Sequence, residues 1–175
     1  MIHAEQFIIK SAKGFASKLG LRFGLAMGVF LLMLVVLQQS PGIIRALAPL
    51  DVVTARITAA VLQLSGMPVH QQAAILSHPA GFSYKIYYNC TGLIAAGFLS
   101  AGLLVLPGRW TARLVQVLLG AALVLALNLV RLVSLFYIGV RYPQVFGFFH
   151  TVLWNAGMLV FMLGFWLRAL RRNGA

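Results

Sequence analysis

The sequence predicts an all-α integral membrane protein with four transmembrane helices, both termini in the cytoplasm, and an outer amphipathic helix and a small hairpin between spans 1 and 2. Three observations predict this class. Hydrophobic residues make up 61% of the 175 residues and charged ones 9%, and the mean hydropathy of +0.93 is far above that of soluble domains. The apolar residues form runs long enough to cross a bilayer. Most cations lie at the ends of these runs, where they set the orientation of membrane helices.

The chain begins with a basic amphipathic segment, residues 1–20, which we expect in the cytoplasm. The apolar run from Leu21 to Leu37 ends in QQSPG and has no small-x-small cleavage site. We therefore expect a retained first span and not a cleaved signal peptide. Residues 21–175 then form a single membrane-embedded domain that includes the outer loop 40–87.

The first part of the outer loop predicts a helix. The residues that follow Pro41 have an amphipathic pattern, in which Asp51 can cap the helix and Arg56 interrupts the apolar face. We interpret this segment as an interfacial or packed helix and not as a fifth span.

The second part of the outer loop predicts a small hairpin. Residues 78–81 (HPAG) form a turn signal, and apolar and polar residues alternate over 82–86. The stretch from Phe82 to Tyr88 offers an edge that could bind an extended peptide by strand addition.

The remaining spans and their orientation follow from the same patterns. We predict spans at about Tyr88 to Leu106, Ala112 to Val140, and about Phe146 to Leu170. Lys and Arg are enriched in cytoplasmic loops, so both termini and the turn PGRWTAR lie inside, and residues 40–87 and 141–146 lie outside. The cations behind this orientation are Lys10, Lys13, Lys18, Arg22, Arg109, Arg113, Arg168, Arg171 and Arg172.

The formal net charge of +12 raises the question of nucleic-acid binding. The cations do not form one basic stripe interleaved with aromatic residues, so we expect no nucleic-acid partner. They are better interpreted as topology determinants and as partners of anionic lipids. The histidines, at positions 3, 70, 78 and 150, lack ligand spacing, and those at 70 and 78 are expected to be solvated, so we expect no metal and no cofactor.

The predicted topology brings three reactive residues to the outer face. Cys90, the only cysteine of the chain, lies at the outer end of span 2, while Arg131 lies within span 3 and His150 at the outer end of span 4. An Arg within a span is costly and indicates a function, and no acidic residue of the spans can pair with it. Asn128 lies three residues before Arg131 on the same helix face and could hold it.

These residue types predict acyl transfer at a peptide bond. A thiol is nucleophilic as thiolate, which a helix N-terminus, a His or an Arg favours. A Cys–His pair supplies a nucleophile and a general acid or base, and an Arg can stabilise the thiolate or the tetrahedral intermediate. Each residue also has a structural interpretation, as a packed thiol, a snorkelling Arg or an interfacial His.

The motifs NCTG at the head of span 2, NLVR in span 3 and FH at the start of span 4 resemble the exosortase/archaeosortase family in order and spacing. Over about residues 60–165 the chain looks like a compact bacterial exosortase. This resemblance implies a membrane-embedded cysteine enzyme whose catalytic Cys, Arg and His correspond to Cys90, Arg131 and His150.

The resemblance also implies a substrate and a location. The enzyme would be a cysteine protease or transpeptidase that cleaves a C-terminal sorting signal of exported, membrane-anchored proteins. Such a PEP-CTERM-like signal consists of a short motif, a transmembrane helix and a basic cluster. The chain would lie in the bacterial cytoplasmic (inner) membrane with its active site facing the periplasm. The substrate-binding residues stay open, with Tyr84, Tyr88 and Asn155 as candidates.

Two other functions compete with this interpretation. A membrane thiol oxidoreductase normally needs a cysteine pair, and this chain has one cysteine. A non-enzymatic membrane assembly or channel subunit would use Arg131 as a pore or partner contact and would tolerate replacement of Cys90. Within the enzyme interpretation, water or an amine could resolve the acyl-enzyme, and both outcomes stay open.

Overall fold

The computed structural model describes residues 2–174, and it describes the side chains of residues 19–172. Two short helical segments are not α-helical: a 3-10 turn at Tyr88–Cys90 and a π-helical segment at Phe149–Leu153. The helices are α1 (Ile2–Gln39), α2 (Pro41–Leu64), α3 (Leu93–Leu104), α4 (Trp110–Arg141), α5 (Pro143–Phe148) and α6 (Trp154–Gly174). The strands are β1 (His70–Gln72), β2 (Ile75–Ser77) and β3 (Ser83–Lys85).

Four helices of the described chain are long and apolar enough to cross a membrane. This finding confirms the predicted class, an all-α integral membrane protein with four such helices. They comprise Leu19–Gln39, Pro41–Leu64, Trp110–Arg141 and Pro143–Arg172. The last of them combines α5, the π segment and α6.

The second predicted span is shorter in the structure than we expected. Helix α3 has 12 residues, about 18 Å at the helical rise of about 1.5 Å per residue, whereas a hydrocarbon core is about 30 Å thick. The helix begins late because Gly92, at its N-cap, has a φ of 82°, which lies outside the right-handed helical region. Helix α2, predicted as interfacial, has 24 residues and is one of the four helices that could span.

Helix α2 begins at Pro41, after Ser40 at the N-cap. A proline fits the first turn because its missing N–H would have no partner there. Asp51 therefore lies inside the helix, and the expectation that it caps the helix was wrong. The second half of α2 packs against the sheet and one end of α4, as expected of a helix that packs on the protein.

Two hydrophobic cores hold the molecule together. The first lies within the helical bundle and joins α1, α3, α4 and α6; the indole Nε1 of its Trp166 donates a hydrogen bond to the carbonyl of Leu99 at 3.0 Å. The second, the outer core, joins α2, the sheet and the C-terminal part of α4. Its buried members are Ala55, Ala59, Leu62, Met67, Val69, Leu76, Ile86, Leu132 and Phe136.

The predicted hairpin is confirmed, because β2 and β3 pair antiparallel around the turn at residues 78–82. The third strand, β1, was not predicted from the sequence. His78 has a structural role in the turn: its Nδ1 accepts a hydrogen bond from the amide of Ala80 at 3.0 Å, and its ring packs edge-on against Phe136. His70 is exposed and His78 is partly exposed, so His78 combines contact with solvent and this role in the turn.

The predicted orientation can be tested by labelling from one side of the membrane. Single cysteines introduced by Ser77→Cys or Thr111→Cys in a Cys90→Ala background should differ in their reaction with an impermeant maleimide. We expect labelling at position 77, in β2, and none at position 111 in the first turn of α4 until the membrane is permeabilised. The reverse pattern would put the sheet and Cys90 on the cytoplasmic side.

Candidate active site

Cys90 is the last residue of the 3-10 turn that precedes α3. Its amide donates to the carbonyl of Tyr87 at 2.7 Å, and the hydroxyl of Thr91 donates to the carbonyl of Tyr88 at 2.6 Å. These bonds close a tight backbone turn at Cys90. The side chain of Cys90 is half-buried and packs against the outer core. Cys90 thus lies just before α3, whereas the sequence predicts it at the head of a continuous span.

The backbone of Cys90 is tied to α4. The amide Nδ2 of Asn128 donates to the carbonyl of Cys90 at 2.8 Å, and Asn128 is only 2% exposed. A Cβ at Gly92 would lie 2.9 Å from Cβ of Asn128, so only glycine permits this close approach. Sequence analysis assigned Asn128 to Arg131 and missed Gly92; the position of Gly92 in the NCTG motif was the one available signal.

Arg131 is buried in α4, with 8% of its surface exposed. Its Nη2 lies 3.5 Å from the backbone carbonyl of His150, at the long limit of a hydrogen bond, and its Nε has no partner within the described chain. No ion pair between Arg131 and an acidic side chain is found among the described residues. The guanidinium therefore keeps at least one donor, Nε, that no group of the described residues occupies.

His150 lies in the π-helical segment between α5 and α6. Its half-buried imidazole stacks on the ring of Phe146, with 5.6 Å between the ring centroids and an interplanar angle of 11°. Single π turns are frequently found at functional sites. Arg131 contacts the backbone carbonyl of His150 and not its side chain. The imidazole nitrogens have no hydrogen-bond partner among the described residues.

Tyr84 is the candidate substrate-binding residue that packs against the outer core, as Cys90 does. Its hydroxyl donates to the carbonyl of Leu132 at 3.1 Å. Burial raises the pKa of Tyr84 strongly, Cys90 raises it further, and Arg131 lowers it.

The other two candidates lie apart from each other. Tyr88 lines an apolar cleft between α1, α2 and α3. Asn155 is exposed, donates to the carbonyl of Thr151 at 2.8 Å, and lines a different cavity. That cavity, of about 240 Å³, is walled by α1, α3, α4 and α6, and its polar lining comes from Asn89, Asn128, Arg131 and Asn155.

A family model described as transmembrane exosortase (Exosortase_EpsH) matches residues 8–170. The chain belongs to the transmembrane exosortase family. No curated protein and no solved structure matches it.

In this exosortase all the predicted site residues fall within the matched range. The structure joins four of these residues in two pairs. Asn128 contacts the backbone of Cys90, and Arg131 contacts the backbone of His150. Since Asn128 and Arg131 are one helical turn apart on α4, this helix connects the two pairs. No group of three His, Cys, Asp or Glu side chains that could hold a metal ion is found among the described residues.

Proposed function

We propose that this exosortase is a cysteine protease or transpeptidase that cleaves C-terminal sorting signals at the outer face of the bacterial cytoplasmic membrane. Its substrates are membrane-anchored exported proteins, and anionic lipids contact its cytoplasmic cations. The observation that supports this most is the pair of contacts from one turn of α4, to Cys90 and to His150. Both contacts are made to backbone carbonyls, and they link the proposed nucleophile, base and cation, which are far apart in sequence, to one helix.

In the proposed first step, the Cys90 thiolate attacks the carbonyl carbon of the scissile peptide bond. The carbonyl π electrons move to oxygen, and the Arg131 guanidinium stabilises the resulting oxyanion. The intermediate collapses as the C–N bond breaks, and protonated His150 donates its proton to the leaving nitrogen. The products are a thioester on Cys90 and a released tail with a free amine.

In the second step, water or an amine attacks the thioester. His150, now neutral, takes the proton of the incoming nucleophile, and the thiolate of Cys90 leaves. Water gives a new carboxylate and an amine gives a new amide. The two outcomes differ in the mass of the product, so one experiment separates protease from transpeptidase.

A reporter tests the proposal directly. An exported soluble domain is fused to the C-terminal short motif, apolar helix and basic cluster of a protein from the same organism, and is co-expressed with the enzyme. We expect a shortened reporter only when the enzyme is present, and mass spectrometry of its new C-terminus shows a carboxylate or an amide. Full-length reporter alongside a correctly inserted enzyme would contradict the proposed activity for that signal.

The role of His150 predicts a further result. His150→Gln preserves size and hydrogen bonding but cannot titrate near neutral pH, so cleavage of the reporter should slow by a factor on the order of a hundred or more. Phe146→Leu, which removes the stacked ring and keeps the imidazole, serves as a comparison and should retain more activity. An unchanged rate for His150→Gln would make this residue an interfacial anchor.

A further inference from the structure

The outer sheet has an unpaired edge on β3. The strand order is β1-β2-β3, so among the described strands β3 pairs only with β2. Such an edge presents a row of N–H and C=O groups that can pair with another extended chain. An edge near the active site of an enzyme that acts on peptides can therefore bind substrate main chain.

The hydrogen bonds between β2 and β3 determine which groups point to that edge. The amide of His78 donates to the carbonyl of Phe82 at 2.7 Å, and the amide of Ile86 donates to the carbonyl of Ala74 at 2.9 Å. In an antiparallel ladder, hydrogen-bonded pairs alternate with non-hydrogen-bonded pairs. Residues 82, 84 and 86 therefore direct their backbone groups toward β2.

The intervening residues, Ser83 and Lys85, direct their backbone N–H and C=O groups away from β2. Both residues are exposed, and neither makes a loop or turn backbone bond within the described chain. The Lys85 ammonium lies 5.0 Å from the centroid of the exposed Tyr87 ring, so a cation accompanies the edge. The edge thus offers two donors and two acceptors with a positive charge beside them.

The free edge is fixed next to the candidate active site. Phe82 packs on α4 so closely that a Cβ at Gly139 would overlap its ring. The Tyr84 hydroxyl binds the carbonyl of Leu132. Tyr84 of β3 and Cys90 pack against the same outer core, and Cys90 follows Lys85 by five residues, so β3 leads toward the part of the molecule that holds the thiol.

The direction of such a strand follows from the proposed function, on which this inference rests. The tail of the substrate must enter the bilayer beyond Cys90, and α3, an apolar helix, begins just after the 3-10 turn that holds Cys90. A substrate strand that runs parallel to β3 delivers its C-terminal end toward Cys90 and its helix toward α3. An antiparallel strand would carry the tail away from the membrane.

We propose that the substrate segment just upstream of the scissile bond adds to the sheet as a parallel strand against Ser83–Lys85. Main-chain hydrogen bonds to these two residues give affinity. The site therefore takes an extended peptide of about three to five residues, which matches the strand length.

Disulfide crosslinking tests the proposal and its direction. Ser83→Cys or Lys85→Cys, each in a Cys90→Ala background, is combined with the reporter carrying single cysteines at successive motif positions. We expect crosslinks to favour one position, which shifts by two residues toward the reporter's C-terminus between Ser83→Cys and Lys85→Cys. A shift toward the N-terminus, equal crosslinking at all positions, or disulfides between two enzyme copies alone would overturn the proposal.

A proline variant tests the backbone contact in the active enzyme. Ser83→Pro removes the N–H that faces the free edge and leaves the bonds to β2 intact. Reporter cleavage below saturation should fall at least about tenfold, while the rate of Cys90 alkylation by iodoacetamide stays unchanged. The control Ser77→Ala changes a serine on the neighbouring strand β2, away from the free edge, and should cleave within about twofold of wild type. Wild-type cleavage by Ser83→Pro would overturn strand addition and leave the proposed function standing; an uncleaved reporter with wild-type enzyme would instead contradict that function.

Discussion

Replacing Cys90 by alanine should abolish cleavage of the reporter, with a loss on the order of ten-thousandfold or more, because no other side chain of the site can form the acyl-enzyme. Cys90→Ser should lose most of the activity as well, since a hydroxyl is much harder to ionise than a thiol. The measurement is the rate at which shortened reporter appears, together with the amount of inserted enzyme.

A matched control separates chemistry from folding. Ser100→Ala removes a half-buried side chain of α3 whose hydroxyl binds the carbonyl of Ala96 within its own helix, away from the candidate active site. It should cleave at the wild-type rate. Wild-type processing by Cys90→Ala would contradict covalent catalysis and would favour the non-enzymatic assembly or channel subunit.

Replacing Arg131 by lysine should reduce cleavage by a factor on the order of a hundred or more. If Arg131 supplied charge alone, lysine would retain a good part of the activity, because either cation stabilises a thiolate through space. We expect the larger loss of activity because the guanidinium is buried and its Nη2 approaches the carbonyl of His150. A lysine ammonium cannot contact that carbonyl and an oxyanion in the same fixed geometry.

The test combines reporter cleavage with the pH dependence of Cys90 alkylation in wild type, Arg131→Lys and Arg131→Ala. Arg141→Lys, at the exposed end of α4, is the matched control and should behave as wild type. Near-normal cleavage by Arg131→Lys would refute the geometric role. Unchanged alkylation and cleavage in Arg131→Ala would remove Arg131 from the site.

The candidate site residues could be identified from the sequence because they are costly or rare in their setting. An Arg without an acidic partner within an apolar helix carries a large free-energy cost, so Arg131 could be identified from its position alone. Cys90 stood out as the only thiol of the chain. The partner of Asn128 could not be predicted in the same way. The sequence pairs Asn128 with its helical neighbour Arg131, whereas its amide donates to the carbonyl of Cys90, 38 positions earlier in the chain.

The sequence by itself determined the membrane class and the hairpin. Hydropathy adds up along a local window, and the turn at residues 78–82 depends on residues adjacent in sequence, so neither property needs the rest of the fold. The family motifs are also local, and the family match over residues 8–170 agrees with them.

Only the tertiary structure decided the length of α3, the partner of Asn128 and the free edge of β3. Helix α3 begins late because Gly92 at its N-cap has a positive φ, at a position where a Cβ would meet Asn128 of α4. Helix α2 packs with the sheet on one end of α4. The edge of β3 is defined by its pairing with β2 and by the packing of Phe82 on Gly139. Each of these features depends on contacts between segments distant in sequence. The free energy of such contacts depends on how the two surfaces fit together, which the composition of either segment alone does not determine.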